Sequence, residues 1–230
     1  MIQANYVKVI SDIEESCRKS GRDPREVTLV AVTKQVDLET IQQALDAGVR
    51  NIAENRVQEA QAKFPALLAR NPQVRAHIIG HLQTNKARDA IRAASMIQSV
   101  DSVKLASEIE KQAARESRPV EILVQFNCAR EDQKFGADPA TADELMDAVG
   151  SCEFLRVKGL MCMAPYTGDV GVIRKTFADL RVIRDSLKTR FAGHPRIEFG
   201  ILSMGMSGDY KIAIEEGSTM VRVGSALFRA

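Results

Sequence analysis

The amino-acid sequence predicts an α/β protein built as a single (β/α)8 barrel of the TIM type, with an extra N-terminal helix. Three observations carry that expectation. Eight short apolar segments are each followed by a stretch of helical character, and strands alternating with helices imply a parallel sheet. The chain of 230 residues is close to the ~250 typical of such a barrel, with nothing left over for a second domain. No G-x-G-x-x-G follows the first strand, which removes the main support for an open dinucleotide-binding sheet.

The elements follow in order. Tyr6, Val9, Ile10, Ile13 and Cys17 recur at helical spacing and define a leading helix that ends near Ser20-Gly21. The strand segments are Val27–Thr33, Arg50–Ala53, Arg75–Ile79, Met96–Val100, Val120–Asn127, Leu155–Leu160, Ile197–Leu202 and Thr219–Val223. The clearest helix between them carries Ile173, Phe177, Leu180, Ile183, Leu187 and Phe191 at steps of three and four. Leu105, Ile109 and Ala113 mark another. Arg174, Lys175, Asp179, Arg181, Arg184 and Asp185 read as a solvated helix face. One domain, residues 1–230, is expected.

Hydrophobic residues make up 45% and charged residues 27% of the chain, ordinary values for a globular protein with a sizeable core. A net charge of +2 gives no electrostatic reason to expect nucleic acid or an acidic membrane as partner. No apolar run approaches the ~20 residues of a membrane span, and the first residues lack signal-peptide regions. A cytoplasmic monomer is the expectation. Cys17, Cys128, Cys152 and Cys162 form no CxxC pair and are not at zinc-ligand spacing with His77, His81 or His194. They read as reduced thiols, with Cys17 a small core hydrophobe.

In a barrel of this kind the chemistry sits where strands run into the loops that follow them. Lys34 closes strand one. A lone lysine there is ordinarily a solvated charge. Buried in an apolar mouth, it would become a neutral amine able to condense with an aldehyde. Strand two ends in Glu54-Asn55-Arg56. Strand three carries His77 and ends in Gly80-His81-Leu82-Gln83-Thr84-Asn85-Lys86. Asn127, Lys134 and Gly136 follow strand five, and Met161-Cys162-Met163 follow strand six. Lys134 is a second amine, read as solvated. Asn55, His77 and Asn127 suit hydrogen-bonded structural roles as well as ligand contacts.

The loops after strands seven and eight are the most specific. Ser203-Met204-Gly205-Met206-Ser207-Gly208 and Gly224-Ser225 each lead into a helix. Small residues let backbone N–H groups approach an anion, and the helix start adds partial positive charge. Each glycine taken alone is equally a turn residue, and Ser207 a helix cap. Their pairing is one that barrels use for phosphate. Arg222, between Val221 and Val223, alternates onto the opposite face from those valines. It is expected in the barrel mouth, where a guanidinium needs acceptors. A nucleophilic lysine, a phosphate cradle and a buried arginine together suit an aldehyde that bears a phosphate. Pyridoxal 5′-phosphate (PLP) fits, with Arg222 near the pyridine nitrogen.

Several motifs then converge. Ala31-Val32-Thr33-Lys34, Glu54-Asn55-Arg56-Val57-Gln58-Glu59, His77-Ile78-Ile79-Gly80-His81-Leu82-Gln83-Thr84-Asn85-Lys86, Gly159-Leu160-Met161, Leu202-Ser203-Met204-Gly205-Met206-Ser207 and Ser218-Thr219-Met220-Val221-Arg222-Val223-Gly224 resemble the pyridoxal phosphate homeostasis proteins, also called proline synthetase co-transcribed homologues. The match runs from about residue 26 onward. That family resembles the barrel domain of bacterial alanine racemase. Its members act in vitamin B6 balance and affect amino-acid and keto-acid pools, with no enzymatic activity firmly assigned. The resemblance implies a PLP Schiff base on Lys34, phosphate contacts from Met206, Ser207, Gly224 and Ser225, and Ser203 as a further cofactor-binding residue. It also implies Arg222 at the pyridine nitrogen, with Asn55, His77 and Met161 lining the ring. Two departures stand out: Ala53 replaces the glycine usual before Glu-Asn, and the chain stops at Phe228-Arg229-Ala230, short of a Gly-x-Arg-x-Tyr-like tail.

The expected function is a PLP carrier that buffers the cofactor and delivers it to apo PLP-dependent enzymes. Arginine stays protonated and accepts no hydrogen bond, so opposite the ring it disfavours the pyridinium form that stabilises carbanions. Racemisation also needs a second acid–base group, supplied in alanine racemase by another domain and a partner subunit. The alternatives are a racemase-like enzyme, a Schiff-base aldolase for a sugar phosphate, and a PLP-sensing scaffold.

Overall fold

The eight apolar segments form eight parallel strands that close into one barrel in chain order, seen in a computed structural model that describes residues 1–131 and 135–229. The strands are β1 (Thr28–Val32), β2 (Asn51–Glu54), β3 (Arg75–Ile78), β4 (Met96–Val100), β5 (Val120–Gln125), β6 (Leu155–Met161), β7 (Ile197–Met206) and β8 (Met220–Val223). The helices are α1 (Ile2–Lys19), α2 (Leu38–Ala47), α3 (Val57–Arg70), α4 (Ala87–Ala93), α5 (Val103–Arg115), α6 (Ala142–Ser151), α7 (Val170–Arg190), α8 (Tyr210–Glu215) and α9 (Ser225–Phe228). Lys134 lies outside the described residues.

Strand alternation divides the core in two. Outward-facing strand residues and the inner faces of the helices form one large cluster, centred on side chains such as Ile41, Phe64, Ile109 and Phe177. The barrel interior holds only small apolar groups: Val30, Ala53 and Met220 in one, Met96, Leu123 and Met161 in the other. Ile79, Ile201 and Met163 pack against them, and polar side chains share the interior. His77, Gln98, Ser203 and Arg222 are all buried there, and buried polar groups require partners.

Two expectations change. β7 runs to Met206, four residues past the expected end at Leu202. Its register against β8 shifts between Ser203 and Met206, and that irregularity carries the strand on, so Ser203 is a strand residue and not part of a loop. The charges on α7 are also not wholly solvated. Arg174 pairs with Glu215 and Glu216, and Arg181 with Glu216, which ties α7 to the end of α8.

α1 lies across the helices at the end of the chain, against α2, α8 and α9. Its buried face is Ile2, Val9, Ile13, Ser16 and Cys17. Asp12 accepts hydrogen bonds from the Tyr210 hydroxyl and the Lys211 ammonium, both at 2.7 Å. The Asn5 amide donates to the carbonyls of Leu227 at 3.0 Å and Arg229 at 3.2 Å. α9 is a single turn, too short to be stable alone, and those two bonds secure it. Phe177 is fully buried on the inner face of α7. Phe177→Ala is expected to lower unfolding stability by about 3–5 kcal/mol, measured by urea denaturation.

Candidate functional site

The carboxyl-terminal mouth of the barrel gathers the residues that the sequence singled out, with one change of premise. Lys34 stands immediately after β1, and its side chain is exposed. Desolvation is therefore not what prepares this amine, and its claim rests on position. No described residue forms an ion pair or hydrogen bond with its ammonium. The backbone on either side of it is pinned. The Lys63 ammonium reaches from α3 to the Thr33 carbonyl at 2.9 Å and to Glu54 Oε1 at 2.8 Å. The Thr33 hydroxyl donates to Glu54 Oε1 at 2.7 Å. Gln35 adopts a left-handed φ of 60° and donates its N–H to Glu59 Oε2 at 3.3 Å.

Sequence reasoning placed Glu54 and Glu59 within a motif without giving them a role and passed over Lys63, although Glu59 and Lys63 carry the i,i+4 spacing of a helical ion pair. Glu54 is fully buried. Burial pushes its carboxyl upward, opposed by the bonds from Lys63 and Thr33.

Arg222 lies inside the barrel, as alternation required. Its Nη1 donates to Ser203 Oγ at 2.8 Å and its Nη2 to the Cys162 carbonyl at 2.9 Å. Burial disfavours its charge, while Cys162 and Asp209 nearby favour it. Arginine stays protonated under such conditions. The Cys162 thiol, buried against Cys128, is pushed well up by burial, so it is no nucleophile.

Ser203 Oγ donates in turn to Gln98 Oε1 at 2.7 Å. The Gln98 amide nitrogen lies 3.0 Å from His77 Nδ1, and His77 Nε2 lies 3.2 Å from Asn51 Oδ1. Both nitrogens of His77 are thus engaged within the barrel, where the resemblance implied a ring contact. Ser203 likewise stands behind Arg222, within β7. Met161 is fully buried against Met96 and Leu123, while Met163, two residues on, is partly exposed.

Asn55 is half-buried at the end of β2, and a Cβ at Gly80 would fall 2.2 Å from its carbonyl oxygen. Only glycine allows the loop after β3 to close on Asn55. Asn127 serves its own loop, donating to the Glu131 carbonyl at 2.9 Å.

The two glycine loops meet through Ser207. Its Oγ accepts the N–H of Gly224 at 3.1 Å and of Ala226 at 3.3 Å, which caps α9 and joins the loop after β7 to that after β8. The Met206 N–H is spent on Asp209 Oδ1 at 2.5 Å. The N–H groups of Met206 and Gly224 are therefore already satisfied. The N–H groups of Ser207, Gly208 and Ser225 have no acceptor among the described residues. Gly205, at φ 96°, brings β7 hard against α8, where a Cβ would lie 2.6 Å from Ala213 Cβ. A cavity of about 320 Å³ lies between α1 and the starts of β1 and β2, at the opposite end of the barrel, and one of about 490 Å³ lies between the loops after β3 and β4; neither contains these residues.

A closed barrel with an amine at the end of β1 and a buried guanidinium on β8 is of the alanine racemase N-terminal domain type, whose sequence pattern matches residues 13–230. A Clostridium difficile alanine racemase shares the fold, with a TM-score of 0.75 at 15% identity over 97% of this chain and 56% of the racemase. Much nearer is the pyridoxal phosphate homeostasis protein of Escherichia coli K12, 37% identical over 236 residues, covering 100% of this chain and 96% of the relative. Its counterpart from Aquifex aeolicus is 34% identical over 96% of this chain and 94% of its own length. The solved structure of PipY from Synechococcus elongatus with PLP bound superposes with a TM-score of 0.81 at 35% identity, covering 94% of this chain and 99% of PipY. The chain belongs to the pyridoxal phosphate homeostasis protein family.

Two outcomes test this geometry. Burial, with a smaller contribution from Arg75, lowers the His77 pKa from 6.5 to about 3. The unfolded chain then binds a proton that the folded chain refuses. The contribution of His77 is intact above pH 6.5 and is lost as pH falls toward 3. In His77→Gln the slope of stability across that window should flatten by up to about 1.4 kcal/mol per pH unit, read from urea unfolding. Lys63→Met leaves Glu54 buried without its cation and should cost about 3–5 kcal/mol at neutral pH, read by thermal unfolding.

Proposed function

We propose that this protein binds PLP in the barrel mouth through Lys34 and acts in PLP homeostasis, storing the cofactor and releasing it to amine acceptors and apo PLP-dependent enzymes. The observation that carries the reading is Lys34: a primary amine on a pinned backbone, open to solution and paired with no acid among the described residues. PLP, when bound, supplies an aldehyde that condenses with such an amine and a phosphate that needs N–H donors.

The residues present suit that group. The Ser207, Gly208 and Ser225 N–H groups and the Ser207 hydroxyl offer donors at one edge of the mouth. Met206 and Gly224 set the shape of that edge. Asn55 stands at its β2 side, and Arg222 supplies donor-only hydrogen bonding at its base. His77 and Met161 support the floor from inside the barrel, and Ser203 holds Arg222.

The same groups favour storage over turnover. Arg222 cannot receive a proton from a ring nitrogen, and it cannot give one up to it at ordinary pH. A ring facing it remains a weak electron sink. The exposure of Lys34 leaves its bond to the cofactor open to exchange with other amines.

The test is spectroscopic. Purified protein mixed with PLP should gain a visible absorption band that borohydride removes. Lys34→Ala should lose that band and bind PLP at least ~10-fold more weakly. An identical borohydride-sensitive band in Lys34→Ala would place the anchor on another lysine, Lys134 being the first to examine. Transfer to an apo PLP enzyme should outpace release into bulk solvent, and equal rates would remove the delivery role.

A further inference from the structure

The polar chain inside the barrel has an order that follows from one residue. The Arg222 guanidinium only donates. Ser203 Oγ, 2.8 Å from Arg222 Nη1, must therefore accept there and send its own proton elsewhere. The acceptor is Gln98 Oε1 at 2.7 Å. That bond fixes which end of the Gln98 amide faces Ser203, so its NH2 faces His77. One amide hydrogen goes to His77 Nδ1 at 3.0 Å, and the other to the Met220 sulfur at 3.2 Å. His77 then carries its proton on Nε2, directed at Asn51 Oδ1 at 3.2 Å. The chain runs from Arg222 near the end of β8 to Asn51, the first residue of β2.

We propose that Gln98 is a positioning residue for the cofactor site, holding Ser203, and through it Arg222, in one orientation by a one-way hydrogen-bond relay anchored on the Nε2–H tautomer of His77. Gln98 is fully buried, and its side chain bonds to Ser203, His77 and Met220. Its side chain accepts at one end and donates at the other. Glutamate can accept at both ends, and leucine can do neither, so the two substitutions separate the functions. In Gln98→Leu the Ser203 hydroxyl loses its acceptor and is free to turn, and Arg222 loses a fixed partner. In Gln98→Glu the bond to Ser203 survives, while His77 must place a proton on Nδ1 to meet the new carboxylate. The effect on PLP rests on the reading of Arg222 as a cofactor contact. The tautomer does not.

The experiment has two arms. In the first, 15N NMR of the imidazole is recorded on folded protein without PLP. Wild type should show His77 protonated at Nε2, and Gln98→Glu should show protonation at Nδ1. A wild-type proton on Nδ1 overturns the relay. In the second arm, PLP affinity is measured for Gln98→Leu, Ser203→Ala and the double variant. Gln98→Leu should weaken binding about 10-fold, the scale of one lost hydrogen bond. Gln98→Glu should remain within about threefold of wild type. The double variant should be no worse than Ser203→Ala, because Gln98 acts through Ser203. Full additivity, or unchanged affinity in Gln98→Leu, overturns the positioning role. If Gln98→Leu fails to fold, the wild-type tautomer and the Gln98→Glu pair of measurements decide alone. A correct tautomer in a wild-type protein that binds no PLP would sink the cofactor reading and leave the relay standing.

Discussion

A buried cation that can only donate hydrogen bonds governs the interior of this barrel. Placing a guanidinium among apolar side chains is costly unless each of its donors finds an acceptor. Arg222 donates one N–H to the Ser203 hydroxyl and one to the Cys162 carbonyl. It thereby ties β8 to β7 and to the end of β6. Ser203, Gln98, His77 and Asn51 then fall into line behind it. The apolar interior clusters are correspondingly small, and the bulk of the hydrophobic stabilisation comes from the layer between strands and helices. Such a division leaves the barrel axis free for polar order while the outer layer holds the fold.

The other end of the site is organised on the opposite plan. Lys34 is exposed, and what is controlled is the backbone that presents it. Glu54, Lys63 and Glu59 act behind β1 and β2, on the helix side, to hold Thr33 and Gln35. One side of the mouth thus has a buried guanidinium turned inward, and the other an exposed amine on a pinned backbone.

The sequence carried most of the fold, because eight apolar segments alternating with 3.6-period helices admit few topologies and the chain is the length of one barrel. It also placed Lys34, Arg222 and the loops after β7 and β8 correctly, since these lie at strand ends or within a strand, where alternation and punctuation can be read. It was less informative where the deciding fact is three-dimensional. The overrun of β7 to Met206 depends on a register shift against β8, which local composition does not encode. The exposure of Lys34 depends on how far the loops stand back from it. Gln98 looks like any polar residue in a strand, Met-Ile-Gln-Ser-Val, until the barrel closes and brings Ser203 and His77 to its two ends. His77 could be read from the sequence equally as a structural group or a ligand contact, and only the family resemblance implied a ring contact. Its two partners come from β4 and β2, at 21 and 26 positions' distance along the chain.

The bonds from α1 to the last helices have a further meaning. Asn5 meets Leu227 and Arg229 across separations of 222 and 224 residues, and Asp12 meets Tyr210 and Lys211 across 198 and 199. Contacts of such span close late, because the chain between them must already be ordered for the closure entropy to be small. These bonds hold α8 and α9, the helices into which the loops after β7 and β8 lead. A growing chain therefore completes the strand that ends at Lys34 early and fixes its last two helices only when the whole barrel is present.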